Sequence, residues 1–185
     1  MENLLSIIIQ HINNYNKEPF LVAIDGRCAS GKTTLASLIK NEINCNIIHM
    51  DYFFLRPEQR TKERLQEPGG NVDYERVKEE VLIPLSQGQE FSYQPFDCKN
   101  MELKAPVKIE PAAVTIIEGS YSCHPVLWDF YDLRIFLNIT QEEQLLRIKK
   151  RNGAEGTQVF LNKWIPLEEK YFIEYNIQKR CDLSF

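Results

Sequence analysis

Residues 26 to 33 read Gly-Arg-Cys-Ala-Ser-Gly-Lys-Thr, a glycine-spaced run that ends on a lysine and a hydroxyl. The chemistry this spacing serves is the cradling of phosphates. Gly26 and Gly31 permit backbone angles and a closeness of approach that a Cβ would forbid. Backbone N–H groups from about Cys28 to Thr33 then point inward as an anion nest at a helix N-terminus. Lys32 supplies a point charge for the β- and γ-phosphates of ATP, and the Thr33 hydroxyl suits Mg²⁺. Arg27, Ala29, Ser30 and Thr34 complete the set expected around the nucleotide, and Cys28 reads as a small space-filling residue within it.

Two carboxylates and two arginines extend this chemistry. Asp51 follows the apolar run Asn46-Ile47-Ile48-His49-Met50. A carboxylate at the C-terminal edge of a parallel strand faces the crevice where ligands bind in open α/β sheets. There it orients a substrate hydroxyl and accepts its proton, a general base for phosphoryl transfer. Glu118 ends a second apolar run, Val114 to Ile117, at a position suited to supporting a metal ion. Arg147 and Arg151 are one helical turn apart and so share a face. On that face they would stabilise charge spread over phosphoryl oxygens, with Lys150 and Lys163 as lesser candidates.

The elements that must position these groups are legible as patterns. Phe20-Leu21-Val22-Ala23-Ile24 is a short continuous apolar run, the mark of a strand covered on both faces. Asn46 to Met50, Val114 to Ile117 and Leu133 to Ile139 read likewise, and Cys181 to Phe185 reads as a closing strand. Between them, apolar residues at helical spacing predict helices over residues 1–16, from Thr33 to Ile43, and from an Asp73 cap through Val77, Val81, Leu82 and Leu85. Thr140 with Glu143 makes a capping box for a further helix through Ile148, interrupted by glycines at 153 and 156. Residues 55–71 read as an exposed, mobile segment around Pro68-Gly69-Gly70-Asn71, and 90–110 as a hairpin or a pair of short strands. Apolar strands alternating with helices imply an α/β layer sandwich with a parallel sheet.

Composition narrows the function classes. At 185 residues the chain suits one domain. A formal net charge of -4 argues against a general nucleic-acid binder. The five cysteines are odd in number and never spaced as CxxC, which excludes a disulfide framework or a zinc site of the usual spacing. The N-terminus lacks a signal-peptide design, and no apolar stretch reaches the roughly 18 residues of a membrane span. A cytoplasmic protein with reduced thiols and no membrane partner is the expectation.

On Gly26 to Thr34, the stretch His49-Met50-Asp51-Tyr52-Phe53-Phe54, Glu118-Gly119, Arg147 with Arg151, and Cys181-Asp182-Leu183, the chain resembles the uridine kinase and phosphoribulokinase family of P-loop kinases. The resemblance runs from about residue 20 to the end and is closest to a bacterial uridine kinase-like subgroup. It implies a P-loop NTPase three-layer α/β/α sandwich with a mostly parallel five-stranded sheet. It also implies ATP with Mg²⁺, a lid over about residues 147–163, an acceptor-site insertion over about 55–110, and transfer of the γ-phosphoryl to a small-molecule hydroxyl. The family's nucleoside-binding elements fall on Phe54, Asp73, Arg76, Tyr93, Phe96 and Asp97. Uridine kinases follow a Tyr-Asp-like pair with a histidine that reads the pyrimidine, whereas Phe96-Asp97-Cys98-Lys99-Asn100-Met101 holds none; His49 and His124 read as structural. Another alcohol or a sugar phosphate therefore stands beside uridine as acceptor. Enzymes of this size are often homo-oligomers. A nucleotide-dependent switch acting through partners would share the phosphate loop but would not need Asp51 to face an empty acceptor pocket.

Overall fold

The structure, a computed structural model, describes residues 2–185, so Met1 at the head of the expected opening helix lies outside the described residues. In chain order the elements are α1 (Glu2–Asn13), β1 (Phe20–Gly26), α2 (Lys32–Glu42) and β2 (Cys45–His49). Two 3-10 turns, Met50–Phe53 and Pro57–Gln59, lead to α3 (Lys62–Gln66) and α4 (Tyr74–Arg76). A π-turn at Val77–Leu82 then runs into α5 (Ile83–Ser86). Short strands follow: β3 (Phe91–Tyr93), β4 (Phe96–Asp97), β5 (Glu102–Leu103) and β6 (Val107–Ile109). After them come β7 (Val114–Glu118), a 3-10 turn at Trp128–Phe130, β8 (Leu133–Leu137) and α6 (Gln141–Val159). A π-turn at Phe160–Trp164, α7 (Ile165–Glu174), α8 (Ile177–Arg180) and β9 (Leu183–Ser184) close the chain.

The five-stranded sheet has the order β2-β7-β1-β8-β9, and every pairing in it is parallel. Its central strand β1 alternates between two cores. Phe20, Val22 and Ile24 pack with Ile8 and Ile12 of α1 and Leu35, Ala36 and Ile39 of α2. Leu21 and Ala23 face the other way, onto Val77, Val81, Leu82 and Leu85 and onto Tyr171, Phe172 and Ile177. Helices therefore cover both faces, which is the three-layer arrangement. Burying a side chain such as Leu35 or Ile39 stabilises by about 1.5–3 kcal/mol, so α2 is held rigidly where it meets the phosphate loop. No helix among the described residues is long and apolar enough to cross a membrane.

Most element boundaries agree with the sequence reading. Asp73 caps its helix by accepting the Arg76 N–H at 3.2 Å. Residues 90–110 form two antiparallel pairs, β3 with β6 and β4 with β5. At the head of α6, Thr140 accepts the Glu143 N–H at 3.3 Å, but the Glu143 carboxylate pairs with Arg147 instead of reaching back to complete a capping box. Residues 55–71 depart further from expectation. Gly69, Gly70 and Asn71 are buried, and Arg64 ties the segment down through the Gly70 and Val72 carbonyls and a two-pronged pair with Glu75. Gly70 has no room for a Cβ, which would fall 2.0 Å from the Arg64 carbonyl oxygen.

Candidate active site

The loop from Gly26 to Thr33 joins the C-terminal edge of β1 to the start of α2. Gly26, at φ 137°, faces β8 so closely that a Cβ would sit 2.1 Å from the Leu137 carbonyl oxygen. Gly31, at φ 103°, caps α2. Between them Ala29 takes a left-handed φ of 62°, a conformation that costs a residue with a Cβ about 1 kcal/mol or more. Lys32 is 8% exposed and bends back over the loop, donating from Nζ to the Gly26 and Arg27 carbonyl oxygens at 2.7 and 2.9 Å and lying 3.4 Å from Ser120 Oγ.

β7 sets the Glu118 carboxylate beside this loop. Glu118 is 4% exposed and accepts the Thr33 hydroxyl at 3.0 and 3.2 Å. His49, the β2 residue in register with Glu118, approaches the same carboxylate at 2.5 Å through Nδ1. That hydrogen bond raises the His49 pKa above its ordinary 6.5. His49 is thus more than scaffolding, since it orients Glu118. The donor set suits Mg²⁺, which keeps several waters, takes substrate phosphate oxygens and needs only one or two protein ligands. Thr33 and Glu118 would hold it.

Asp51 begins just beyond β2 in the 3-10 turn and stands on the wall of the same cleft. Its side chain is open to solvent within a concave surface. Desolvation by the surrounding protein, and then the charge of Glu118, raise its pKa above 3.8. Arg147 and Arg151 both reach the cleft from α6. Arg147 donates from Nη1 to the Ala29 carbonyl at 3.1 Å and from Nε to Glu143 at 2.8 Å. The Arg151 guanidinium lies 5.5 Å from the Phe160 ring centroid. Between them and α7, Gly153 at φ 71° and ψ -176° breaks the helix.

The cleft has a volume of about 660 Å³. Phe54 lines it, its ring 6.1 Å from that of Trp164. The other family-derived acceptor residues are spent elsewhere. Asp73 caps α4 and accepts from Gln59 at 2.7 Å. Arg76 pairs with Glu80 and donates to the Gln94 carbonyl. Tyr93 packs against Phe53 and Phe91, Phe96 lies under Arg60, and Asp97 holds Lys104 and the turn at Lys99. None of these five is among the cleft-lining residues. Lys163 lines the cleft, 4.5 Å from the Trp164 ring centroid; Lys150 is exposed and does not. His124 stacks on Tyr74 with its pKa lowered to about 4 by burial, a structural role. Burial pushes the Cys28 thiol up to about 12, so it stays neutral inside the loop.

Three groups were not read from the sequence. Glu168, on α7 and 5% exposed, accepts the Cys28 N–H at 2.9 Å and the Ser120 hydroxyl at 2.7 Å. Arg27 makes a two-pronged pair with Glu169 at 2.6 and 2.9 Å. Asp25 is fully buried and accepts from the Gly26, Tyr121 and Cys123 amides and the Tyr171 hydroxyl at 2.7–3.1 Å. The one available signal was Asp25 itself, an ionisable residue inside an apolar strand. Glu168 and Glu169 look in sequence like an ordinary charged helix face.

Comparison with known proteins accords with this geometry. No protein-family model matches the chain. Uridine kinase-like protein 5 of Arabidopsis thaliana is 26% identical over 173 residues, covering 86% of this chain and 37% of that protein. The uridine kinase of Mycoplasma pneumoniae is 27% identical over 169 residues, covering 80% and 75%. In sequence, the chain is similar to these uridine kinases over most of its length. It spans about a third of the length of the plant relatives and about three quarters of the mycoplasmal one. A protein from Bacillus stearothermophilus described as a possible uridine kinase superposes with a TM-score of 0.77 at 19% identity, over 100% of this chain and 98% of that one. A D-glycerate 3-kinase from Cryptococcus neoformans gives 0.64 at 16%, over 91% and 87%. The shared fold is that of P-loop kinases.

Proposed function

We propose that this chain is an ATP-dependent phosphotransferase that moves the γ-phosphoryl group to a hydroxyl of a small molecule, with a nucleoside such as uridine as the acceptor. The observation that carries the reading is Asp51. It makes no side-chain hydrogen bond among the described residues, yet it lines the same cleft as the phosphate loop, Glu118 and the two arginines. A switch protein has no use for an uncommitted carboxylate facing an open pocket.

In the proposed mechanism the loop amides and Lys32 hold the β- and γ-phosphates. Thr33 and Glu118 would hold Mg²⁺, which would supply positive charge against the phosphates. Asp51 accepts the proton of the acceptor hydroxyl as its oxygen bonds to the γ-phosphorus. The bond from the γ-phosphorus to the β–γ bridging oxygen breaks, and ADP leaves with that electron pair. The raised pKa of Asp51 makes it a stronger base than an ordinary aspartate. Arg147 and Arg151 offset charge on the phosphoryl oxygens, and residues 147–163 act as a lid that excludes water. Residues 55–110 border the acceptor side, where the rings of Phe54, just before that stretch, and Trp164, after α6, offer apolar walls to a planar base. The names of the relatives support uridine; the histidine missing from Phe96 to Met101 leaves the pyrimidine to be read by other groups.

The test is product formation from ATP across a panel of nucleosides, with Asp51→Asn as control. The variant should lose 10²–10⁴-fold in kcat, in the range of general-base removal, while ATP affinity stays within about twofold. ATP binding without any phosphorylated acceptor, together with hydrolysis unchanged in Asp51→Asn, would sink the reading.

A further inference from the structure

Cys123 and Cys181 are 58 positions apart in the chain, yet their sulfurs lie 3.9 Å from each other. Cys123 is in the turn that follows β7 and is fully buried; Cys181, between α8 and β9, is partly exposed. The other three thiols are placed differently. Cys28 is inside the phosphate loop, Cys45 is buried in β2, and Cys98 is exposed between β4 and β5. Two thiols 3.9 Å apart are in ordinary packing contact, and a sulfur–sulfur bond of about 2.0 Å is one short approach away.

The two thiols are held with unequal firmness. The Cys123 amide donates to Asp25 at 2.9 Å, and the Tyr121 amide of the same turn donates to Asp25 at 3.1 Å. Gly119, where the turn starts, donates to the Ile24 carbonyl at 3.0 Å. Cys181 sits between a helix of four residues and a strand of two, which pairs with β8. The approach therefore falls to Cys181. Burial raises the Cys123 thiol well above its ordinary pKa, so the partly exposed Cys181 is the thiol that an oxidant in solvent meets first. Both sides of the pair also reach the phosphate loop. The Cys123 turn does so through Asp25, which accepts the Gly26 amide. Just past β9, the Phe185 carbonyl accepts the Asn138 N–H at 2.7 Å, and Asn138 in turn accepts from Arg27.

We propose that Cys123 and Cys181 form an oxidisable dithiol, which hydrogen peroxide closes to a disulfide that ties β9 to the turn anchored on Asp25. The Cys181 thiolate attacks one peroxide oxygen, the O–O bond breaks, and Cys181 becomes a sulfenic acid as the released hydroxide takes up a proton. Cys123 then loses its proton as its sulfur bonds to that of Cys181. The S–O bond breaks, and the leaving hydroxide departs with that proton as water. Two thiols give up two electrons, and one peroxide is reduced to two waters. Neither cysteine lines the cleft, so the inference stands apart from the reaction performed there.

The test exposes the reduced chain to hydrogen peroxide at several protein concentrations, with Cys181→Ser in parallel, and then alkylates the remaining thiols. Non-reducing peptide mass spectrometry should find Cys123 joined to Cys181 as the major cross-link. Its yield should not depend on protein concentration, and dithiothreitol should reverse it. The cross-linked form should melt roughly 4–10 °C above the reduced one, the scale for closing a loop across 58 positions. Cys181→Ser should show neither the cross-link nor the gain in Tm. The inference is overturned if Cys123 and Cys181 stay reduced while Cys98 is fully oxidised, or if Cys181 stops at sulfenic or sulfinic acid. A cross-linked form that melts no higher than the reduced one overturns it too. The wild-type result decides even if Cys181→Ser fails to fold.

Discussion

The two halves of the cleft are built on different principles. The phosphate half hangs on the ends of β1, β2 and β7, and its key groups are held by backbone and buried carboxylates: Lys32 by two carbonyls, Thr33 by Glu118, the loop by Asp25. The acceptor half is assembled from a chain excursion and a broken helix, with aromatic rings and polar groups that lack partners. Buried hydroxyls or amides without a partner occur in both, Ser30 Oγ in the first and Asn71 Nδ2 and the Tyr121 hydroxyl in the second, so the difference between the halves lies in the elements that carry them. The lesson is that, under the proposed reading, phosphate handling is set by strand ends of the sheet, while acceptor selectivity falls to segments that the sheet does not constrain.

The sharpest way to break the contrast is to damage the donor half alone. Lys32→Ala should lower kcat/KM about 10²–10³-fold, the scale of losing one preorganised charge on a developing anion, and should weaken ATP binding in direct titration. Acceptor binding to the nucleotide-free protein should survive. Next in size, Gly26→Ala forces a Cβ into the Leu137 carbonyl. It should cost about 3 kcal/mol or more and lower Tm by roughly 6–12 °C in a thermal melt, showing how little slack the donor half has. The acceptor half should give way more gently. Phe54→Ala should raise the acceptor KM by about tenfold, in keeping with the loss of a stacking platform, with ATP affinity unchanged in the same assay.

The smallest effect concerns pH. His49 has a folded pKa raised above the unfolded 6.5 by its bond to Glu118. Its contribution to stability is therefore full below about pH 6.5 and is lost as pH rises through the raised value. A third of the side chain is exposed, so the amount is under about 1 kcal/mol. Comparing Tm against pH for wild type and His49→Asn should show a shallow decline above neutrality in the wild type alone. A flat difference would mean that His49 does not hold Glu118 in solution.

Legibility in the sequence followed the same division. Gly26 to Thr33, Asp51, Glu118 and the arginine pair are local signals: a spacing, or a polar residue at the end of an apolar strand. Each was readable, because strand ends in a parallel sheet all point to one edge. The sheet itself was readable because its strands are continuous apolar runs. The acceptor side was not. Asp73 and Arg76 are consumed by capping and by Glu80, a competition that only packing reveals. Glu168 gains its meaning from residues 140 and 48 positions away, and nothing in Leu167-Glu168-Glu169-Lys170 distinguishes it from a solvated face. Residues 55–71 misled for a related reason, since a glycine pair chosen for close approach to Arg64 and His124 looks the same as one chosen for flexibility.

The four donors on Asp25 come from three stretches of chain: Gly26, the Tyr121–Cys123 turn and Tyr171. A single anion thereby makes the phosphate loop conditional on segments 96 to 146 residues further along the chain. A nascent chain that has reached β7 already contains every residue of the loop but has no hydroxyl from α7 to complete the charge's shell, and an under-solvated buried carboxylate opposes the fold. The shape of the loop and the presence of α7 are thus tied together, so that a fragment ending before α7 would carry the motif intact and hold it poorly.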